Sequence, residues 1–224
     1  MVKEVSGLLS EPDDLSRQRL DSLDLFNKLP LEKSPLYTKY VDMISGLKLD
    51  SIQLALPSRD MSVPGEVKHL MGDHDEQTLA LQVDSQIVRT QVHGGLEKEG
   101  IIFTDLQSAL TKFPDLVKSH FSKAVRPDDD KFAALNNAFY TTGIFLYVPK
   151  GLSIKVPFRN IVLVKSHGIG AFSHNIIVAD ENSKVTFLQE AYSKLDPAKQ
   201  GPTLYSEVTE VFLQEGAEVN FASV

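Results

Sequence analysis

The six histidines are the side chains of this sequence best suited to bind a transition metal, because the chain contains no cysteine. His69 and His74 lie in VKHLMGDHDE, where they could form a two-histidine, one-carboxylate site with Asp73. That segment is polar and has no regular element to fix the ligand geometry, so we disfavour a metal there. His167 and His174 flank SHGIGAFSH, for which a turn between two strands is the preferred interpretation.

Two further segments could suggest chemistry, and each has a simpler interpretation. GIGAFSHN follows the strand pattern IVLV (161–164) but leads into another strand, so no helix N-terminus is available to hold a phosphate. The acidic run Asp128–Asp130 could chelate a hard cation, yet capping of a helix beginning at about Lys131 is preferred. No Ser/His/acid spacing suggests a nucleophile. We therefore predict no catalytic, cofactor-binding or metal-binding residue in this chain, and no enzymatic activity.

Composition narrows the classes of function. Without cysteine the chain cannot form disulfides, zinc–thiolate sites or thiolate ligands for an iron–sulfur cluster. The net charge is −7 and the basic residues are scattered, so no basic stripe for nucleic acid is visible. No segment reads as a signal peptide or a membrane span, which favours a cytoplasmic protein without membrane contact.

The first half of the chain predicts helices and a few strands. In residues 10–30, Ser10 is suited to cap a helix and Pro12 to its first turn. The apolar face of this helix comprises Leu15, Leu23, Phe26 and Leu29. Strand patterns cover 79–84, 86–92 and 101–103, and helical patterns begin at 104, 114 and 128, with Gly143 as the final stop. We predict a helical segment over 1–50 and a small α+β domain over 51–143.

From residue 144 onward a repeat replaces the helical periodicity. VPKGLSIKV (148–156), VADENSKVTF (178–187) and LQEGAEVNF (213–221) each contain a strand end, a turn residue and two spaced apolar residues. The turn residues Gly151, Asn182 and Gly216 are 31 and 34 residues apart. This spacing favours stacked β-coils over a parallel sheet with crossover helices, and a sandwich of hairpins is the main alternative. The residues predicted to face inward are Ile154, Val156, Val185, Phe187, Val219 and Phe221.

Several of these segments together resemble the SufB/SufD family of iron–sulfur cluster assembly proteins. The most specific stretch is PDDDKFAALNNAFYTTGIFLYVPKGLSIKVPF (127–158), followed by HNIIVADENSKVTFLQEAYS (174–193). SEPDDLSRQRLDSLDLFNKLP near the N-terminus and EGIIFTDLQSALTKFPDLVKSHF (99–121) also fit the family. The shorter lead-in to the core is more similar to SufD-type than to SufB-type members.

The resemblance implies a mainly β protein with a helical and α+β N-terminal region, followed by a right-handed parallel β-helix (144–224) that is incomplete. It implies partnership with a SufB-type paralogue and a SufC-type ABC ATPase, in a complex that builds iron–sulfur clusters. Family members are roughly twice as long, so the chain is expected to be a truncated form, a proteolytic product or a short paralogue, and to lack the ATPase-docking region. The family's cluster-handling positions would then lie beyond Val224, and none is carried over onto this chain.

These observations lead to a primary hypothesis and two alternatives. The primary hypothesis is a non-enzymatic scaffold subunit that binds no cofactor itself, since the chain has neither cysteine nor a G-x-x-x-x-G-K-[ST] loop. One alternative is a stand-alone β-solenoid carbohydrate-binding protein or enzyme, although the absence of tryptophan disfavours an aromatic sugar platform. The other is a cupin-like metalloenzyme with histidines converging from adjacent strands. The isolated chain is expected to form a homodimer through the strands around Phe221.

Overall fold

Ten strands and five α-helices make up the described part of the chain. The computed structural model describes residues 1–31, 49–58, 60–71, 77–196, 198 and 201–224. The helices are α1 (Val2–Leu8), α2 (Asp13–Lys28), α3 (Leu106–Lys112), α4 (Pro114–Lys118) and α5 (Lys131–Phe139). The strands are β1 (Gln53–Leu54), β2 (Thr78–Val83), β3 (Gln86–Gln91), β4 (Ile102–Asp105), β5 (Ile144–Val148), β6 (Phe158–Val164), β7 (Ile169–Ala179), β8 (Lys184–Ser193), β9 (Leu204–Leu213) and β10 (Glu218–Ser223). Short 3-10 helices cover Leu49–Ser51, Gly65–Met71 and Leu96–Glu99.

The strands form two five-stranded sheets, and each sheet mixes parallel and antiparallel pairs. In sheet A the central strand β7 runs parallel to β1, β5 and β9, while β4 pairs with β5 antiparallel. In sheet B the order is β10-β8-β6-β2-β3, and β3 is antiparallel to β2. Strands that precede residue 143 pair with strands that follow it in both sheets. The division of the chain at 50 and 143 stays a prediction.

The prediction of a mainly β protein with a right-handed parallel β-helix over 144–224 is wrong. Its repeat does mark neighbouring strands, because Val185 pairs with Val219 and Phe187 with Phe221 in parallel register. The two sheets, however, also contain one antiparallel strand pair each, and helices cover one face of sheet A. The fold is therefore mixed α/β. A spacing of 31 to 34 residues shows which later residues lie beside a given residue in a parallel neighbouring strand. This spacing carries no information about the antiparallel strands that complete each sheet.

The segment LYVPKGLSIKVPF (146–158) contains the first unit of the repeat, and its two ends lie in different sheets. Its first strand β5 pairs with β7 in sheet A, whereas β6 begins only at Phe158 and pairs with β2 and β8 in sheet B. Between them, Ser153 forms a single bridge to Lys184. The segment therefore carries the chain from one sheet to the other.

Three apolar clusters hold these layers together. The cluster shared by both sheets contains Leu146 and Ile177 from sheet A and Phe158 and Phe187 from sheet B. Helices α2 to α5 pack on the face of sheet A that points away from sheet B. Leu15 belongs to the buried cluster formed there, and Phe26 packs against this cluster. The Gly65–Met71 turn covers the outer face of sheet B. Each fully buried Leu, Ile or Phe side chain contributes about 1.5–3 kcal/mol of hydrophobic stabilisation.

Helix boundaries largely follow the predicted chemistry. Asp105 caps α3 by accepting the Ser108 N–H at 2.8 Å, and Pro114 opens α4 at the position where a helical pattern was predicted to begin. Ser10 does not cap α2, since the residue at the N-cap position is Pro12. Gly143 is not the stop of α5, which already ends at Phe139.

Gly143 has a different role from the one predicted. An ideal Cβ at this position would lie 1.8 Å from the carbonyl oxygen of His174. Only glycine therefore allows the chain entering β5 to approach β7 this closely.

Candidate functional site

The histidines considered as metal ligands do not converge. His74 and Asp73 lie outside the described residues, and His69 lies in the Gly65–Met71 turn. His167 lies in the connection between β6 and β7, as predicted, and its Nε2 accepts the Asp196 N–H at 2.7 Å. Over the part of the chain that the structure describes, no group of three or more His, Cys, Asp or Glu residues could hold a metal ion.

The turn predicted for His174 is wrong, because this residue lies within β7 and is 1% exposed. Its ring stacks on Phe121 with a centroid distance of 4.4 Å and meets Tyr140 edge-on at 5.8 Å. The Nε2 atom lies 2.7 Å from Oε2 of Glu210, which is itself fully buried. His174 therefore faces the helices rather than solvent, and it does not meet His167 in a cupin-like site.

Glu210 fastens the loop after α4 to sheet A. Its carboxylate accepts main-chain N–H groups from Ser122 at 2.7 Å, Ala124 at 2.7 Å and Val125 at 3.0 Å. Burial opposes ionisation of this carboxyl, but the His174 contact and the main-chain donors outweigh it and hold the pKa of Glu210 below its ordinary value. The pair therefore anchors structure rather than forming an open reaction centre.

The glycine-rich and acidic segments behave as predicted. GIGAFSHN continues from strand β6 into strand β7, so it opens no helix. Asp130 is the N-cap of α5, and its Oδ1 accepts the N–H groups of Phe132 at 2.6 Å and Ala133 at 2.8 Å. Asp128 and Asp129 contact Arg126 instead. Turn and capping chemistry accounts for both segments.

A row of polar side chains, which we call the polar layer, crosses the space between the two sheets. Gln82 Nε2 donates to Ser173 Oγ at 2.8 Å, which joins sheet B to sheet A. Asn160 Nδ2 donates to Gln189 Oε1 at 2.9 Å, and Gln189 Nε2 donates to Glu207 Oε2 at 2.7 Å. The members of the polar layer are Gln82, Asn160, Ser173, Asn175, Gln189, Tyr205, Glu207 and Thr209. Sequence reasoning missed this layer, because polar residues such as His174, Ser206 and Glu210 also occupy the opposite face of the same strands and hide the alternation.

The polar layer reaches β9, the last strand of sheet A, and β8, the strand next to the last one in sheet B. Among the described strands, β9 pairs only with β7 and β10 only with β8, so one edge of each is unpaired. A tight turn joins the two strands, with Ala217 N–H donating to the Gln214 carbonyl at 3.0 Å. We call these two unpaired edges the open edge. Its exposed apolar side chains include Leu213, which is 49% exposed, and Phe221, which is 42% exposed.

The open edge combines unpaired main-chain groups with exposed apolar side chains. Unpaired main-chain N–H and C=O groups recruit a further strand, and exposed apolar side chains favour being covered. Phe221 stacks on Phe187 with a centroid distance of 5.9 Å and an interplanar angle of 6°, which leaves its outer face available. A row of aromatic residues for sugar binding is not formed here, because Tyr192 and Phe221 point to opposite faces of sheet B.

The described helices include none that is both long enough and apolar enough to span a membrane.

Two family models match this chain, and together they cover most of it from residue 72 to residue 224. Residues 72–159 match the family model described as the SufBD protein N-terminal region. Residues 162–224 match the model described as the SUF system FeS cluster assembly, SufBD core domain. All residues named in the open edge, and Glu207, lie within the second of these.

Individual relatives give the same assignment over the whole chain. An iron–sulfur cluster assembly SufBD family protein of Staphylococcus aureus strain MRSA252 is 29% identical over 238 aligned residues. The iron–sulfur cluster assembly protein SufB of Bacillus subtilis strain 168 is 28% identical over the same length. Both alignments cover 100% of this chain and 49% of the relative. The chain thus spans about half the length of the curated relatives that it matches.

Proposed function

This chain belongs to the SufB/SufD family of iron–sulfur cluster assembly proteins, and from that premise we propose that it is a non-enzymatic scaffold subunit of a cluster assembly complex. The observation that carries the proposal is the match of residues 72–159 and 162–224 to the SufBD N-terminal and core-domain models. The absence of cysteine from the sequence supports the non-enzymatic scaffold role, because any cluster thiolate would have to come from another protein. A cytoplasmic location is part of the same proposal.

The proposed partners are a SufB-type paralogue and a SufC-type ABC ATPase. The Bacillus subtilis protein to which this chain is similar is named SufB, and a SufD-like role for this chain stays a prediction. The test is co-purification of the tagged chain with each candidate alone and with both together. Recovery of a stoichiometric complex with the paralogue supports the proposal, and failure to retain either protein contradicts it.

A chemical prediction follows from the side chains available. After anaerobic reconstitution with iron and sulfide, we expect the isolated chain to bind no stoichiometric iron–sulfur cluster and to hydrolyse no ATP. The reason is the absence of cysteine from the sequence together with the absence of a phosphate-binding loop motif. Iron and sulfide are assayed after desalting, with a protein-free mixture as the control. A visible absorption band that elutes with the protein and with equivalent iron and sulfide would contradict this prediction.

We further propose that the isolated 224-residue chain forms a two-fold dimer through the open edge. Two copies of the same edge can extend both sheets and bury Leu213 and Phe221 against each other. Phe221→Asp should shift the chain to monomer, because a carboxylate at the contact must be desolvated. We expect at least about a tenfold weaker association, which corresponds to about 1.4 kcal/mol.

Light scattering at several concentrations measures this association. Phe113→Asp is the matched control, since Phe113 is 38% exposed but lies after α3, away from the open edge. A wild-type chain that stays monomeric at high micromolar concentration would rule out the dimer.

A further inference from the structure

The donors around the Glu210 carboxylate fill every position at which it can accept a hydrogen bond. Its Oε2 atom accepts the Ser122 N–H at 2.7 Å and lies 2.7 Å from Nε2 of His174. Its Oε1 atom accepts the N–H groups of Ala124 at 2.7 Å and Val125 at 3.0 Å. An ionised carboxylate has about four lone-pair sites and no donor, so each oxygen is saturated by its two donors. Glu210 therefore occupies a site that offers donors alone.

The hydrogen-bond role of His174 agrees with a site of this kind. Because an ionised carboxylate can only accept, the Nε2 atom of His174 carries the proton of the bond that it shares with Glu210. The Nδ1 atom of His174 is buried and has no hydrogen-bond partner among the described residues, so the ring acts as a single N–H donor. A neutral amide in place of the carboxylate would turn an NH₂ group toward two of the donors, which is unfavourable.

Contacts that do not involve Glu210 hold these donors in place. The Nδ2 atom of Asn137 in α5 donates to the Ser122 hydroxyl. The buried Phe121 ring stacks on His174 with a centroid distance of 4.4 Å. His174 itself lies in β7, and the residues on both sides of it pair with β9. We expect the arrangement of donors to persist without the Glu210 side chain.

The site joins two parts of the chain that match different family models. The loop 122–125 lies in the region that matches the SufBD N-terminal model, whereas Glu210 and His174 lie in the region that matches the core-domain model. Recognition of a carboxylate is thus one of the contacts by which the first region holds the second.

We propose that the loop 122–125 and His174 form a preformed carboxylate-binding site, of which Glu210 is the tethered ligand, and that the site takes a free short-chain carboxylate once the Glu210 side chain is removed. The inference depends neither on self-association nor on a partner protein. In the wild type the tether keeps the local concentration of the Glu210 carboxylate far above that of any free carboxylate, so the site stays filled. Glu210→Ala removes a CH₂–COO⁻ group, and acetate has the same heavy atoms. Acetate is therefore the matched probe.

The test measures acetate binding to the 224-residue chain at about pH 7 by isothermal titration calorimetry, with chloride replacing acetate to keep the ionic strength fixed. The proteins are the wild type, Glu210→Ala, Glu210→Gln and Glu215→Ala. In Glu210→Gln the amide still fills the site, so no room is left for acetate. Glu215→Ala removes the same side chain from an exposed turn. Acetamide, which has the shape of acetate but carries an NH₂ donor, is the control ligand.

Glu210→Ala is expected to bind one acetate with a dissociation constant of about 1–10 mM, since so small a ligand cannot bind tightly. About 100 mM acetate should then raise the ratio of folded to unfolded Glu210→Ala by about 10- to 100-fold, as measured by urea unfolding. For the wild type, Glu210→Gln and Glu215→Ala the same ratio should change by less than about twofold. Acetamide should have no saturable effect on any of the four proteins.

The inference is wrong if folded Glu210→Ala shows no saturable acetate binding, or if acetamide binds as well as acetate. It is also wrong if acetate stabilises Glu215→Ala as much as Glu210→Ala, because the effect would then be a general one of the salt. If Glu210→Ala is unfolded in chloride, circular dichroism follows its refolding in about 100 mM acetate and in the same concentration of acetamide. Recovery of the helical signal in acetate alone supports the site. Equal recovery in both solutions, or recovery in neither, contradicts it.

Discussion

Replacing Arg19 with methionine is expected to lower the free energy of unfolding by about 3–5 kcal/mol, because the substitution leaves a buried carboxylate without its counter-charge. The Arg19 and Glu11 side chains are each 1% exposed. Two guanidinium nitrogens contact the carboxylate at 2.6 Å, and a third donates to the Ala138 carbonyl at 3.2 Å. The guanidinium also lies 3.6 Å from the centroid of the Tyr140 ring. This contact fastens α2 to the C-terminal end of α5.

Tyr140 completes the site as a neutral donor. Its hydroxyl donates to Glu11 Oε1 at 2.9 Å, and the Ser6 hydroxyl donates to Oε2 at 3.0 Å. Burial raises the pKa of Tyr140 well above its ordinary value, so the phenol keeps its proton. These neutral donors cannot replace the positive charge of Arg19, which is why the substitution is expected to be costly.

Urea unfolding monitored by circular dichroism measures the effect. Arg17→Met is the matched control on the same helix, because Arg17 is exposed and should change stability by less than about 0.5 kcal/mol. In the double variant Arg19→Met/Glu11→Gln no buried charge is left unpaired. Its loss should be smaller than the sum of the two single losses by about 1–3 kcal/mol. Equal losses for Arg17→Met and Arg19→Met would contradict the structural role of this ion pair.

The sequence contained a signal for this ion pair that the helical pattern analysis did not use. Arg19 lies four residues after Leu15 and four before Leu23, within the apolar face of α2. A charged residue on such a face predicts a buried partner. The partner could not be predicted in the same way, because Glu11 precedes the helix and its orientation depends on the chain reversal at Ser10, where φ is +51°.

Local signals predicted more of the fold than long-range ones. Caps at Asp105 and Asp130 depend on neighbouring residues alone, and capping by the acidic run that contains Asp130 was predicted correctly. The repeat correctly aligned Val185 with Val219, yet the pairing of β2 with β6 joins residues about 80 positions apart and has no signal in the sequence. That pairing and the antiparallel additions of β3 and β4 separate the observed mixed sheets from the predicted solenoid.

The polar layer and the contacts of Glu210 also depend on long-range pairing, so the sequence alone does not predict them. In β9 the side chains alternate between the two faces of sheet A, so Glu207 points toward sheet B and Glu210 toward the helices. Their spacing of three residues already places them on opposite faces of the strand, but the sequence offers no means to tell that both faces are buried. Their hydrogen-bond partners come from distant segments, including Gln189 and the loop at Ser122.

Glu210→Ala is expected to lower the free energy of unfolding by about 3–5 kcal/mol, since several buried donors each lose a partner at about 1–3 kcal/mol and some regain water. The substitution removes the acceptor for three main-chain N–H groups and for His174. Ser122 also has a positive φ of 56°, a conformation that residues other than glycine rarely adopt, and its N–H donates to Glu210. Urea unfolding measures the loss, with Glu215→Ala as the exposed control.

The pH dependence of this loss distinguishes an ionised carboxylate from a merely well-packed side chain. Because the pKa of Glu210 is lower in the folded chain than in the unfolded chain, its ionised form stabilises the fold above the ordinary pKa of glutamate. This stabilisation disappears as the pH falls through the folded-state pKa. The stability difference between the wild type and Glu210→Ala should therefore be smaller below about pH 4 than at pH 7. A difference that is the same at pH 3 as at pH 7 would show that Glu210 acts by packing alone.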